Sequence, residues 1–324
     1  MNAFLTPILL VTFNRLEETK QVFDSIRKMK PTRLYISSDG PRDFIVDEES
    51  RITEIRQWLM QNIDWECELK ILFRDNNLGC KYGVSTAIDW FFEYEEYGII
   101  LEDDTVPNLD FFYFLEHCLI KYKEEPNVMM ITGTNFLDKM STKTPPYFFS
   151  NYSAIWGWGT WRRAWKLYDR EMISFDVQRL QGILHQKRTP KYIVRTLINL
   201  YGIANNPNLD TWDYQWMFSC IFHNGLCITP RVNLVQNIGV IGSHSHNKSN
   251  DHFMNTESFP SEYYKNYLPE IEMYDSYDKQ VYSQRYYKNK LHWFLMIYLL
   301  KRFRLYDFAS TLKRKLDMLI KRYS

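Results

Sequence analysis

Residues 98–112 read GIILEDDTVPNLDFF, so Glu102, Asp103 and Asp104 stand side by side directly after an apolar run. Adjacent carboxylates repel one another and resist losing water, and such a triplet needs a cation, hydrogen-bond donors or bulk solvent beside it. At the end of a strand it reads as a metal or polar-ligand site; the plainer alternative is a solvated acidic turn. A second carboxylate with chemical promise is Asp213 in TWDYQWMF (211–218), set between Trp212 and Trp216 and three residues after Asp210. Flanking indoles exclude water, which raises the basicity of a carboxylate, and they offer faces on which sugars stack. The same Asp at a helix start also simply favours the helix dipole. His244 and His246 lie in NIGVIGSHSHNKSN, a glycine-punctuated loop pattern, and either imidazole suits a borderline metal such as manganese.

The elements that must position these groups alternate in type. Four apolar runs, 7–13, 33–40, 69–74 and 97–103, read as buried strands. Between them, 16–29, 48–62 and 83–92 carry helical patterns; in the first, Leu16, Val22, Phe23 and Ile26 form an apolar stripe. Strand-helix alternation predicts a parallel sheet covered on both faces. Ligands of such sheets bind outside the carboxyl ends of the strands. That rule gathers Asn14 and Arg15, Asp39, the segment RDNNLGCKYG (74–83) and the acidic triplet on one rim. Asp39, Arg15, Arg74 or Lys81 and the three carboxylates, joined by a divalent cation, suit a nucleoside diphosphate. Neither a P-loop nor a GxGxxG fingerprint is present, which removes the usual support for kinase-like and dinucleotide-binding readings. Trp156, Trp158, Trp161 and Trp165 alternate in part with Gly157 and Gly159, a pattern that predicts a tight loop with Trp158 turned toward a sugar and Trp161 and Trp165 packed.

Composition narrows the class. With 324 residues, of which 45% are hydrophobic and 17% aromatic, the chain can fill a large core plus an appendage. A net charge of +1 argues against nucleic acid as a partner. Five cysteines without CxxC spacing fit reduced thiols in a cytosol, and the N-terminus has no basic region or cleavage site of a signal peptide. The last 39 residues, from Tyr286 on, combine aliphatic and aromatic residues with many Lys and Arg; the uncharged run 291–300 is too short to span a bilayer. Such a segment either lies on an anionic membrane surface or closes as a helical hairpin on the catalytic domain or a second subunit.

The ordered set PILLVTFNR, SSDGPR, NLGCKYGVS and ILEDDTVPNLDFFYF resembles the GT-A nucleotide-sugar glycosyltransferases, in the style of the bacterial family 2-like enzymes and N-acetylglucosaminyltransferase I. AIWGWGTWRRAWKLYD (154–169) is similar to the acceptor-side segment of that group, and TWDYQWMF to its catalytic segment. The resemblance spans roughly residues 5–250. It implies a doubly wound, Rossmann-like mixed sheet over 1–255, with a nucleotide-sugar half to about 135 and an acceptor half from about 136, followed by a connector and basic helical region over 256–324. It further implies that Arg15 and Asp39 contact uracil or ribose, Asp103 the ribose, and Asp104 the metal, Mn2+ or Mg2+. Thr12, Asn14, Arg74, Gly79, Lys81 and Glu102 complete the implied set around a UDP-sugar; a late histidine near the metal corresponds to His246. Trp158 and Trp212 would face the sugars, and Asp213 would be the base of an inverting transfer to a glycan, lipid-linked or protein-linked acceptor, with Asp210 as its substitute. The glycine-rich loop of sugar-nucleotide nucleotidyltransferases, the alternative enzyme, is missing after VTFNR. A non-catalytic carbohydrate-binding or membrane-scaffolding relative would have lost the triplet or the base, and both are present. A cytoplasmic protein at the inner face of the membrane is the expected setting.

Overall fold

A computed structural model describes residues 3–137, 140–206, 208–239 and 255–288. Its first half alternates strictly: β1 (Ile8–Thr12), α1 (Leu16–Met29), β2 (Arg33–Ser38), α2 (Glu48–Asn62), β3 (Glu68–Phe73), α3 (Gly79–Tyr94) and β4 (Tyr97–Glu102). These are the strands and helices that the apolar runs and helical stripes predict. The chain continues through β5 (Thr105–Pro107), α4 (Leu109–Lys121), β6 (Val128–Thr132), β7 (Tyr147–Ser150), β8 (Trp158–Trp161) and α5 (Arg162–Trp165). Then come α6 (Val177–Gln186), α7 (Lys191–Ala204), α8 (Asp213–Phe222), β9 (Leu226–Pro230) and β10 (Val235–Asn237).

Eight strands make one sheet in the order β3-β2-β1-β4-β8-β6-β9-β7. The first four are parallel, β8 runs antiparallel to both β4 and β6, and β9 returns parallel to β6. The expected doubly wound mixed sheet with helices on both faces is the one observed. Strand alternation explains how both faces are covered. Ile8 and Leu10, Leu34 and Ile36, and Ile99 and Leu101 point to a core that holds Val22, Phe23 and Ile26 of α1, Ile55 and Leu59 of α2, and the phenylalanines of α4. Leu9, Tyr35 and Ile100 point the other way, onto Val84, Ile88 and Phe91 of α3 and Trp216 of α8. Both faces of the central strands are buried, so these strands read as continuous apolar runs.

The tryptophan-rich segment departs from the expected loop. Trp158 to Trp161 form β8, inserted between β4 and β6, because Trp158 and Thr160 face one core while Gly159 and Trp161 face the other. Glycine at 159 allows close packing: a β-carbon there would stand 3.1 Å from the Gly98 carbonyl oxygen. Trp158 is 0% exposed and Trp212 1%, stacked on each other at 5.6 Å with Trp165 and Trp216 around them. Neither indole offers a face to a sugar, which corrects the acceptor-side expectation for both. Trp161 and Trp165 are packed, as expected; Trp165 stacks on Tyr168 at 4.3 Å and donates to Asp89 at 2.8 Å.

The chain divides into two compact units, Met1–Asp275 and Ser276–Ser324. Residues 255–275 pack within the first: the rings of Phe259 and Tyr264 meet Phe114 of α4 at 5.5 and 5.3 Å. In the second, the described residues are helical, from α9 (Asp275–Tyr282) through a wider turn to Lys288. The basic segment expected to lie on a membrane or a second subunit falls outside the described residues. Among the described residues no helix is long and apolar enough to cross a membrane.

Trp158→Ala should cost about 3–5 kcal/mol of stability, as large aromatic truncations in a packed core do. Urea unfolding measures it. An indole used only to stack on a sugar would leave the unfolding midpoint where it is.

Candidate functional site

The strand order reverses beside β1: the chain moves outward to β2 and β3, then crosses back to place β4 on the other side. Outside the carboxyl ends of β1 and β4 the flanking connections diverge, and this crevice is where such sheets bind ligands. Phe13, Asn14 and Arg15 follow β1 there; Asp103 and Asp104 follow β4. Arg15 bridges the crevice, its Nη1 lying 2.8 Å from Asp104 Oδ2 and 3.5 Å from Asp103 Oδ1. The Phe13 amide donates to Asp103 Oδ2 at 3.1 Å. Burial works against the Arg15 charge, yet Asp103 and Asp104 together hold its pKa above the ordinary value.

The triplet is short of positive charge. Burial pushes Asp103 up to about 7, with Asp104 adding to the shift and Arg15 opposing it. Glu102 is raised well above its ordinary value by burial and then by the charges of Asp104, Asp103 and Asp213. Its Oε1 is buried without a hydrogen-bond partner. A buried acid with an unsatisfied oxygen, beside two more carboxylates, is a set of hard oxygen donors that fits a divalent cation. Asp104 sits at the tip of the short ribbon made by β5 and β10, where the Ile238 amide donates to its carbonyl oxygen at 2.9 Å. The backbone of Gly239 passes so close that a β-carbon would stand 2.0 Å from Asp104 Oδ2. His244 and His246 follow that glycine in the chain but lie outside the described residues. Among the described residues no group of three or more His, Cys, Asp or Glu is arranged to hold a metal on its own.

The other implied nucleotide contacts divide by what already engages them. Asp39 lies at the end of β2, where it accepts from the Leu78 amide at 2.9 Å and from Asn77 Nδ2 at 3.1 Å; burial raises its pKa. Asn14 donates to Glu48 at 2.7 Å. Glu48 has no exposed surface, and Arg42 pairs with it while lying over the Phe13 ring at 5.3 Å. Hydrogen bonds from Arg42 come first among the causes that hold the Glu48 carboxyl down to about 2. Thr12 is buried, with its hydroxyl donating to the Ser37 carbonyl at 3.3 Å, so it braces β1 against β2 and presents nothing to a ligand. Arg74 likewise braces, donating to Ser37 Oγ at 3.1 Å and Thr86 Oγ1 at 2.8 Å. The Lys81 ammonium pairs with Glu171 at 2.7 Å. Of the basic candidates Arg15 is the one that meets the triplet.

Asp213 opens α8, and Thr211 Oγ1 donates to its Oδ1. Among the described residues its Oδ2 carries no hydrogen bond. Cys80, in the first turn of α3, ties these parts together: the residue is partly open to solvent, but desolvation of its sulfur and then the charges of Glu102, Asp210, Asp213 and Asp104 push its pKa far up. Carboxylates from two separate segments, the end of β4 and the approach to α8, therefore act on one thiol. Neither Cys80 nor Glu48 stands out in the sequence. The first is a lone thiol without a CxxC partner, the second one of two glutamates in the first turn of α2; Arg42 in SSDGPR was the only nearby signal for Glu48.

No protein-family model matches this sequence, and no curated protein sequence matches it. Among solved structures, HddC from Yersinia pseudotuberculosis is 10% identical over 49% of this chain and 78% of that one, with a TM-score of 0.33. The mannosyltransferase PcManGT from Pyrobaculum calidifontis, solved with GDP-Man and Mn2+, is 10% identical over 67% of this chain and 69% of that one, with a TM-score of 0.36. A 4-diphosphocytidyl-2C-methyl-D-erythritolsynthase from Anaerococcus prevotii is 8% identical over 59% of this chain and 87% of that one, at a TM-score of 0.33. Superpositions this loose carry no functional argument, and the site rests on its own geometry.

Glu48 provides a pH test of the bracing beside β1. Its folded pKa of about 2 lies below the ordinary 4.5, so its stabilisation is complete above pH 4.5 and drains away as pH falls toward 2. Glu48→Gln should lower the melting temperature at pH 7, and the gap from the unmodified protein should close below pH 4.5. A gap that stays constant down to pH 3 removes the ion pair as its cause.

Proposed function

We propose that the chain is a metal-dependent glycosyltransferase that moves a sugar from a nucleoside diphosphate donor, UDP being the first candidate, to a glycan or glycoconjugate acceptor with inversion at the anomeric carbon. The observation that carries this reading is the meeting of Arg15, Asp103 and Asp104 at the switch between β1 and β4 with Asp213 in the electrostatic reach of the same triplet. A site for a nucleoside diphosphate needs a cationic and metal-binding floor; an inverting transfer needs one carboxylate on the other side of the sugar.

In this reading Asp104 would hold the divalent cation, which would supply positive charge to offset that of the leaving diphosphate. Asp103 accepts hydrogen bonds from the ribose, and Asp39 with Asn77 lies toward the base. Arg15 is released from Asp104 to meet phosphate oxygens, a planar guanidinium being well matched to them. Asp213 takes the proton of the acceptor hydroxyl through Oδ2 while Thr211 fixes Oδ1. The acceptor oxygen forms its bond to the anomeric carbon as the bond from that carbon to the phosphate oxygen breaks, and the electron pair leaves with the diphosphate. The buried tryptophan cluster beneath α8 keeps the helix start rigid rather than touching sugar. A nucleotidyltransferase reading is disfavoured because only three residues separate β1 from α1, leaving no room for a glycine-rich phosphate loop there.

Calorimetric titration of UDP, GDP, CDP and dTDP with and without manganese tests the donor site. UDP should bind more tightly with manganese, and Asp104→Asn should erase that increment while the protein stays folded; equal affinity with and without the ion rejects Asp104 as its ligand.

Asp213→Asn should reduce kcat by ~10²-fold or more with nucleotide affinity unchanged, since a general base acts in the transition state. A product that retains the donor's anomeric configuration overturns the base assignment whatever the mutant rate.

A further inference from the structure

The first turn of α3 is capped from the far end of the chain. α3 has sixteen residues, no acidic residue in its first turn, and an N-cap, Leu78, whose side chain cannot accept a hydrogen bond. Its exposed amides are instead met by Asp210: Oδ2 accepts from the Cys80 amide at 2.9 Å and Oδ1 from the Lys81 amide at 2.7 Å. The carboxylate reaches them because residue 79 is glycine. With φ +75, Gly79 adopts a conformation that side chains disfavour, and a β-carbon there would stand 2.7 Å from Asp210 Oδ2.

Helix capping alone does not require a residue 130 positions away on the approach to Asp213. Between the two aspartates each position is fixed in turn. Thr211 donates its hydroxyl to Asp213, Trp212 is buried against Trp158, and the Trp212 carbonyl accepts from Tyr168 Oη at 3.2 Å. Asp210 is thus the outermost of a row of anchors ending at Asp213. It fastens that row to the helix whose first turn also places Cys80 among the cleft carboxylates.

We propose that Asp210 is a positioning residue: by gripping the Cys80 and Lys81 amides across Gly79, it holds the start of α8 so that Asp213 faces the acidic rim. This deepens the proposed function and rests on Asp213 being the base there. The grip acts on geometry rather than on the donor, so its loss affects turnover more than nucleotide binding. A displacement of about 1 Å at a reacting group is enough to cost ~10²-fold in rate.

The test uses the full chain and the variants Asp210→Asn, Gly79→Ala and both together. Gly79→Ala keeps every charge but crowds the carboxylate off the amides. If the grip is real, each single change lowers the melting temperature by about 2 °C, and the double variant loses no more than the worse single one; additive losses overturn it. Turnover is read as UDP released from UDP-glucose and UDP-N-acetylglucosamine with manganese. Both singles should lower kcat at unchanged KM for the donor, whereas a cap that is merely structural lowers the melting temperature and leaves kcat per folded molecule intact, which overturns the positioning role. UDP affinity that rises in Asp210→Asn also overturns it, since the carboxylate would then occupy a phosphate seat. If Asp213→Asn is inactive while Asp210→Asn and Gly79→Ala keep their kcat, positioning fails alone; if Asp213→Asn is fully active, the base reading fails and positioning with it.

Discussion

The structure turns on the repulsion among carboxylates at the end of β4. Three acids arrive together where a parallel sheet reverses its strand order, a fourth is brought near from α8, and one guanidinium, Arg15, spans the crevice to meet them. That charge imbalance is unfavourable in a folded protein unless something positive completes it. Natural folds tolerate such local conflict mainly where a ligand resolves it. The raised pKa values of Glu102 and Asp103, and the buried oxygen of Glu102 without a partner, are the physical expression of that imbalance.

Around that centre the described residues form two packed cores. On one face, α1, α2 and α4 pack on the central strands; on the other, α3 and the tryptophans of β8, α5 and α8 do so. The indoles lie under the start of α8, directly behind Asp213. Glu48 and Arg42 lock the connection after β1, and Asp39 fastens the end of β2 to the loop before α3. Glu48 and Asp39 accept from fixed donors, whereas Glu102 at the centre keeps a buried oxygen without one.

Much of the site was legible because its parts follow from local rules. The triplet is visible as three letters, its place at a strand end follows from the apolar run before it, and the rim follows from strand-helix alternation. What misled was the meaning of tryptophan and of basic side chains. Trp158 beside glycines suggested an exposed loop, but Gly157 and Gly159 serve a strand packed tightly on both faces, so the indole is core. Arg74 and Lys81 suggested phosphate contacts, but hydroxyls and Glu171 engage them, partners that lie 12 to 90 residues away.

The amino-acid sequence by itself determined the alternating elements, the sheet class and the acidic rim, because hydrophobic period and strand termini are local properties that burial then enforces. Tertiary structure alone decided which charges meet. Asp210 caps a helix that begins 131 positions earlier, Arg15 crosses the crevice to Asp104, and Glu48 is sealed beneath Arg42. Those pairings depend on the order of strands in the sheet and on glycines that let backbones approach. Electrostatic energy falls off with distance in space rather than along the chain, so only the folded molecule distinguishes a committed charge from an available one.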